Sequence, residues 1–343
     1  MRIRQLLYII VLVQLCCLNR AAGQSMHFSQ YYNAPLLLNP ANTALMPDFD
    51  YRIGANYRNQ WSILPVPFTT FSAFGDFKIG GNAESDHANW LGLGGALFND
   101  KAGTGDLSLV QIQGSVAYHL HTSSKSMLSF GGSAAYTQRS VNYDNLSFDA
   151  QWDGFTFNDH LPTGEKVGIL KTNYTTIGAG FNYAYFPNEA VYIKLGGSVT
   201  NINQPTETFY NSTNQVAMRS TGNLDMLFRT SADFIVNPSA YYTTQKGASE
   251  LVYGSLFRVN MNKSRDESSS QLILGIFNRL GDAIIGVAGY QFNSWQLMMN
   301  YDFTISGLAP YNGAYGAMEV SLIHGGNYYK NKGGRKMYSC PRF

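Results

Sequence analysis

The chain has little charge: Asp, Glu, Lys and Arg make up 13% of its 343 residues, about half the share in an ordinary soluble domain. Cysteine is scarce too, at three residues: Cys16, Cys17 and Cys340. The first two lie in an N-terminal leader. Once it is removed no internal disulfide can form, which excludes a stapled secreted scaffold. Beyond the leader there is no apolar run of 18 residues, so no transmembrane helix is expected, although a barrel strand needs only about 10 alternating residues. A Walker loop, a dinucleotide fingerprint, HExxH and CxxC are all missing. Nucleotide, NAD and zinc chemistry therefore have no motif, and no cofactor is expected.

The leader reads MRIRQLLYIIVLVQLCCLNRAAGQ. Arg2 and Arg4 precede an apolar stretch from Leu6 to Leu18, and Ala21 and Gly23 take the −3 and −1 positions of a cut before Gln24. Residues 1–23 are thus expected to be a signal peptide. Leu15 stands where lipid attachment at Cys16 would want a small residue. Cleavage removes three Arg and no acid, leaving 21 basic against 22 acidic residues. Such a near-neutral chain has no field that would attract nucleic acid.

Aromatic residues (14%), 34 glycines and a period of two are what the chain does have. In YRIGANYRNQ (51–60), Tyr51, Ile53, Ala55 and Tyr57 alternate with Arg52, Gly54, Asn56, Arg58 and Gln60. In 107–120, Val110, Ile112, Val116 and Tyr118 oppose Gln111, Gln113, Ser115 and His119. In 294–305, Trp295, Leu297, Met299 and Phe303 oppose Gln296, Asn300, Asp302 and Thr304. This is the pattern of strands with one apolar and one polar face.

Fourteen such segments begin near Tyr51, Phe68, Asn89, Gly105, Ser126, Thr172, Glu189, Arg219, Ser231, Ser249, Ser270, Asp282, Ser294 and Gly313. Pro238 predicts a break or a rim position in its segment. The longest connections, 140–171 and 203–218, both follow odd strands and so share one end. The tight links at 186–190 and 292–295 follow even strands and share the other. A soluble sandwich would also alternate. Its strands average five or six residues rather than 10 to 14, however, and its solvent face would carry more Lys and Glu. The predicted fold is all-β: a transmembrane antiparallel barrel of about 14 strands over residues 51–325. Its apolar face meets lipid, and its Ser, Thr, Asn, Gln and Arg meet a wet lumen.

The segment before the first strand, HFSQYYNAPLLLNPANTA, followed by YRIGANYRNQW and PVPFTTFSAFGDF, resembles the N-terminal signature of the PorP/SprF family. These are outer-membrane barrels of the type IX secretion and gliding machinery of Bacteroidota. The resemblance runs from Phe28 to Phe77, and the ending CPRF is also similar to family members. It implies an outer-membrane location and a non-enzymatic binding role. Its implied partners are the outer-membrane bilayer, the periplasmic ring lipoproteins of the machinery, and/or a secreted surface adhesin held at its C-terminal sorting domain. Whether the chain is a core subunit or adhesin-specific stays open.

The residues themselves add detail. Asn-Ala-Pro and Asn-Pro-Ala (33–35 and 39–41) are turn formers around the apolar Leu36 to Leu38. Residues 24–50 are therefore expected to form a plug inside the barrel or across its periplasmic mouth. Expected contacts between plug and lumen are Asn39, Pro40, Arg52, Arg58 and Gln60, with Arg52 and Arg58 reaching plug carbonyls, Asp48 or Asp50. The tail 326–343 carries Lys330, Lys332, Arg335, Lys336 and Arg342 and no acid, and is expected to emerge on the periplasmic side as a docking strip. His119 and His121 share a strand face and read as a polar rim rather than a metal site. Asp159 and His160 are neighbours whose side chains would diverge on an extended segment, so a rim enzyme has little support. The alternative function is a plugged channel or a hydrophobic-solute transporter.

Overall fold

The computed structural model describes residues 28–328 except 47–48, 62–67, 81–87, 104, 106, 143–145, 165–168, 210–211, 262–269 and 308. The leader, the basic residues Lys330 to Arg342, and Asp48 lie outside the described residues. On the N-terminal side the strands are β1 (Tyr51–Gln60), β2 (Phe68–Ile79), β3 (Trp90–Ala102), β4 (Leu107–Ser123), β5 (Ser126–Asn142), β6 (Ile169–Asn188) and β7 (Val191–Thr200). A short pair follows, β8 (Thr206–Phe209) and β9 (Ser212–Gln215). Then come β10 (Arg219–Arg229), β11 (Phe234–Gln245), β12 (Ala248–Asn260), β13 (Ser270–Arg279), β14 (Ala283–Phe292), β15 (Trp295–Thr304) and β16 (Tyr315–Gly326).

All but β8 and β9 join one closed wall of fourteen strands, in which β1 pairs with both β2 and β16. Every wall pairing is antiparallel, and the seam runs from Tyr51 opposite Gly326 to Gln60 opposite Ala317. Closure leaves no strand edge, which a lipid environment demands because nothing there can hydrogen-bond a free backbone group. The outward face is apolar and bare: Ile53 is 51% exposed, Ile112 59% and Ile276 58%. The connections 143–168 and 201–218 share one end of the barrel, called here the loop end. β1 enters and β16 leaves at the opposite mouth. The β8–β9 hairpin lies within 201–218 and was not apparent from the alternation.

Two expectations about the wall need correction. Pro238 neither breaks β11 nor sits at its rim: the strand runs through it, paired with Ser255 on β12. On the β10 side the pairing lapses between Asp225–Ser239 and Phe228–Val236. There the Asn237 side-chain amide donates to the Met226 carbonyl, supplying a donor next to the one that proline lacks.

The lumen is also not uniformly polar. Tyr241, Val252, Leu256, Ile273, Phe277, Ile285, Val287 and Met298, from β11 to β15, form a buried cluster inside the wall. On β13, Leu272, Leu274 and Ile276 face outward while Ile273 and Phe277 face inward. A strand covered on both faces reads as a continuous apolar run, so its inner face was hidden by its outer one.

Candidate functional site: the luminal segment and its cavity

Residues 28–46 run inside the barrel, from the loop-end half of the lumen toward the opposite mouth. With no strand partner, the segment satisfies its backbone through three tight turns. These are a 3₁₀ turn at Tyr31–Asn33, a helical turn at Pro35–Leu38 and a second 3₁₀ turn at Pro40–Asn42. Pro35 and Pro40 open their turns, where the missing N–H costs nothing. The Asn39 Oδ1 caps the last turn by accepting the Ala41 N–H at 2.9 Å. Tyr31 enters the apolar cluster of β11 to β15, with Tyr32 and Leu38 packed against it. Phe28 and Ala34 bury against Phe98, and Leu36 against Phe74 and Ala96. The segment thus packs into the inward apolar clusters of the wall and completes the hydrophobic core of the barrel's interior.

Polar contacts hold it at three levels. Nearest the loop end, Glu319 of β16 accepts the backbone N–H groups of Ser29 (2.7 Å) and Gln30 (2.9 Å). The same carboxylate pairs with Arg58 of β1, which also reaches Asp302 of β15 at 3.2 Å. The Ser29 hydroxyl donates to Asp302 at 2.6 Å and accepts from Arg58 (2.9 Å) and from Arg279 of β13 (2.5 Å). Four wall strands therefore meet on one serine, and these charges are buried. Buried charges persist only when paired in this way.

At mid-depth, the Asn39 amide donates to the Phe181 carbonyl (3.1 Å), to Asn182 (3.1 Å) and to the Gly197 carbonyl (3.3 Å). Near the opposite mouth, Asp76 of β2 accepts the Ala44 N–H at 2.8 Å and is itself held by Arg52 at 2.7 Å. Trp90 donates its indole N–H to the Ala44 carbonyl at 3.0 Å. His119 donates from Nε2 to the Thr43 carbonyl and accepts the Ser129 hydroxyl at Nδ1, both at 2.8 Å.

The wall also makes room for the segment's backbone. A Cβ on Gly131 would collide with the Pro40 and Ala41 backbone, and one on Gly92 with the Thr43 carbonyl. Nothing larger than glycine fits those positions while the segment stays in place.

Asn39 and Pro40 lie in the segment, and Arg52, Arg58 and Gln60 on β1. Asn39, Pro40 and Arg58 touch across the interface. Arg52 reaches the segment through Asp76, and Gln60 accepts from Arg58 at 3.3 Å. The arginines bind wall carboxylates rather than plug carbonyls, because a carboxylate offers a stronger, charge-assisted partner. Glu319 and Asp302 are not predictable as partners of Arg58, because that pairing depends on closure of the seam; Asp76 lies directly opposite Arg52 in the β1–β2 register, and Arg279 reaches Asp302 across β13 to β15, neither of which the local pattern of β1 reveals. His119 is not a rim residue: it is fully buried and stacked on Trp90 with ring centroids 4.7 Å apart. Among the described residues no three His, Cys, Asp or Glu cluster as metal ligands. Asp159 and His160 approach to 3.7 Å rather than diverging, because a turn follows Asn158, but both are exposed.

Between the segment and the loop end lies a cavity of about 210 Å³. Its floor is apolar and belongs to the segment: Phe28, Tyr31, Leu37 and Leu38. Its wall carries amides and hydroxyls, among them Gln111, Gln113, Thr137, Thr176 and Gln245. At its upper edge Arg139 of β5 pairs with Glu207 of the hairpin at 3.0 Å, tying the 201–218 connection to the barrel.

A family model described as "Type IX secretion system membrane protein PorP/SprF" matches residues 20–323. No curated protein sequence matches the chain. Among solved structures, the chain is similar to a Pseudomonas aeruginosa FadL homologue at a TM-score of 0.52 and 10% identity, over 85% of this chain and 94% of that one. The Pseudomonas putida toluene transporter TodX gives 0.48 at 8% identity, over 85% and 92%. At these identities the likeness to the FadL homologue concerns the barrel fold alone.

Proposed function

The chain belongs to the PorP/SprF family of type IX secretion system membrane proteins, an outer-membrane β-barrel of that machinery, and from this premise we propose that it works by binding rather than by catalysis or conduction. One observation carries the reading. The lumen is filled by the chain's own segment, which completes the interior core, is clamped at three levels and is keyed into inward glycines. A solute channel would have to expel that core.

What remains for function is the two ends. The loop end, with 143–168 and the tied hairpin of 201–218, holds a secreted surface adhesin at its C-terminal sorting domain. The opposite mouth meets the periplasmic ring lipoproteins. The chain leaves there: Tyr328 donates its N–H to Asp50 (3.1 Å) and its hydroxyl to the Lys78 carbonyl (3.2 Å). Lys330, Lys332, Arg335, Lys336 and Arg342 follow directly in sequence and supply a basic docking strip.

The test is an affinity pull-down from gently solubilised outer membranes with cross-linking, using a tag inserted beside the exposed Phe155 and mass spectrometry as the readout. Recovery of an adhesin or of ring lipoproteins supports the reading and says which branch applies. Recovery of the barrel alone at native expression refutes it in favour of a channel.

A further inference from the structure

We propose that the loop-end cavity is a receptor for one aromatic side chain on an extended polypeptide, supplied by the secreted partner; this inference rests on the binding role proposed above. The floor is the first reason. Phe28, Tyr31, Leu37 and Leu38 present apolar surface at the base of a cavity whose upper wall is polar. An aromatic group seated there would bury surface that the chain cannot cover with its described residues, and aromatic pairs gain further from edge contacts. Such a geometry already exists in the floor, where Phe28 meets Phe98 edge-on at 5.9 Å.

The wall is the second reason. Its three charged side chains each have a partner within the barrel: Arg139 pairs with Glu207 at 3.0 Å, Arg219 donates from Nε to the Thr243 hydroxyl at 2.9 Å, and Asp100 accepts the Thr70 hydroxyl at 2.6 Å. The uncharged polar groups of the wall are amides and hydroxyls, which can both donate and accept, as the alternating N–H and C=O of an extended peptide require. The Gln245 amide donates to the Ala217 carbonyl at 2.9 Å, while its Oε1 is buried without a partner. Turned toward the cavity, that oxygen would accept a peptide N–H, which a bare hydrocarbon lacks. The size is the third reason. At about 210 Å³ the cavity falls below the roughly 300–1,000 Å³ of sites that enclose a drug-sized ligand, but suits one side chain with part of its backbone.

The probe is N-acetyl-phenylalaninamide, titrated against the full detergent-solubilised barrel and followed by saturation-transfer NMR. N-acetyl-alaninamide and toluene serve as comparisons. Ala135 lines the cavity and is buried, so Ala135→Trp fills it; Phe28→Ala removes part of the floor. The expected result is saturable binding of the phenylalanine amide, at least tenfold weaker in both variants and at least tenfold tighter than the alanine amide or toluene. Absence of saturable binding overturns the proposal, as it would if the chain's own residues filled the cavity. Toluene binding as tightly as the amide overturns the peptide assignment in favour of a solute site. Heat-shifted migration of both variants on gels checks that they fold, and either variant alone suffices.

The pull-down separates this inference from the function on which it rests. If wild type recovers a surface partner and Ala135→Trp recovers it equally, the cavity is not the receptor and the binding role stands. If wild type recovers no partner, the binding role fails and, with it, this proposal.

Discussion

Replacing Glu319 by alanine should release the loop-end half of the luminal segment while leaving the wall closed. Glu319 is buried, and its two oxygens accept the Ser29 and Gln30 N–H groups at 2.7 and 2.9 Å while pairing with Arg58. Truncation removes three acceptor contacts and leaves Arg58 with Asp302 alone among the described carboxylates within ion-pair reach. Breaking a buried ion pair by removing one partner costs roughly 3–5 kcal/mol. The two orphaned N–H groups are part of that loss, because the segment can move to hydrate them.

The seam itself should survive, because β1 and β16 stay joined by ten backbone-paired positions. The cost therefore appears as local opening of the segment rather than as lost barrels. At about 1.4 kcal/mol per decade, hydrogen exchange of the Ser29 and Gln30 amides should accelerate by roughly two to three and a half orders of magnitude. Amides of β4 and β5 should not change. Glu319→Gln, which keeps one acceptor, should fall between. If exchange at Ser29 and Gln30 stays within tenfold of wild type in Glu319→Ala, the clamp does not hold the segment.

Other perturbations give equally direct readings. Gly131→Val should dislodge Pro40 and Ala41, seen as lost protection of residues 39–44, whereas Gly114→Ala, with open space around it, should be silent. Asn39→Ala removes amide donors to Phe181, Asn182 and Gly197 together with the turn cap, and should cost about 1–3 kcal/mol in denaturant melts; unchanged midpoints would contradict the mid-depth contact. In the 143–168 loop, backbone N–H groups of Thr156 and Phe155 hold the Asp153 carboxyl below its usual range. Because that value is depressed in the folded loop, the turn is fully supported above the ordinary aspartate range and lost only as pH falls through the depressed one. NMR shifts of the Phe155 and Thr156 amides should therefore stay constant from pH 7 to about 4 and move only below it.

The wall was legible because a period of two survives whatever the barrel contains. The predicted starts at Gly105, Ser231 and Gly313 lie within three residues of β4, β11 and β16. Inner-face chemistry was less legible. Ile273 and Phe277 alternate with outward Leu272, Leu274 and Ile276, so local pattern alone could not tell a wet arc from a dry one. The site was half visible. Asn39 and Pro40 announce turns by their chemistry, and Arg52 and Arg58 stand out as the charged residues of 51–60. Glu319 and Asp302 lie more than 240 residues away from Arg58, and only the closed register brings them together. His119 looked like a rim residue because nothing local reveals that Thr43 lies against it. The hairpin β8–β9 spans four residues a side, too short for alternation to register.

The direction in which the segment runs bears on assembly. Its first described residues are bound by Arg58 on the first strand and by Glu319 on the last, so the site that receives them does not exist until both chain ends have been made. An intermediate lacking β16 would carry Arg58 and Arg279 without one of their shared acid neighbours, and an empty closed ring would bury that cluster around nothing. The clamp on the segment's first residues is therefore complete only once the last strand is in place, and a glutamate near the chain's end holds what its beginning supplies.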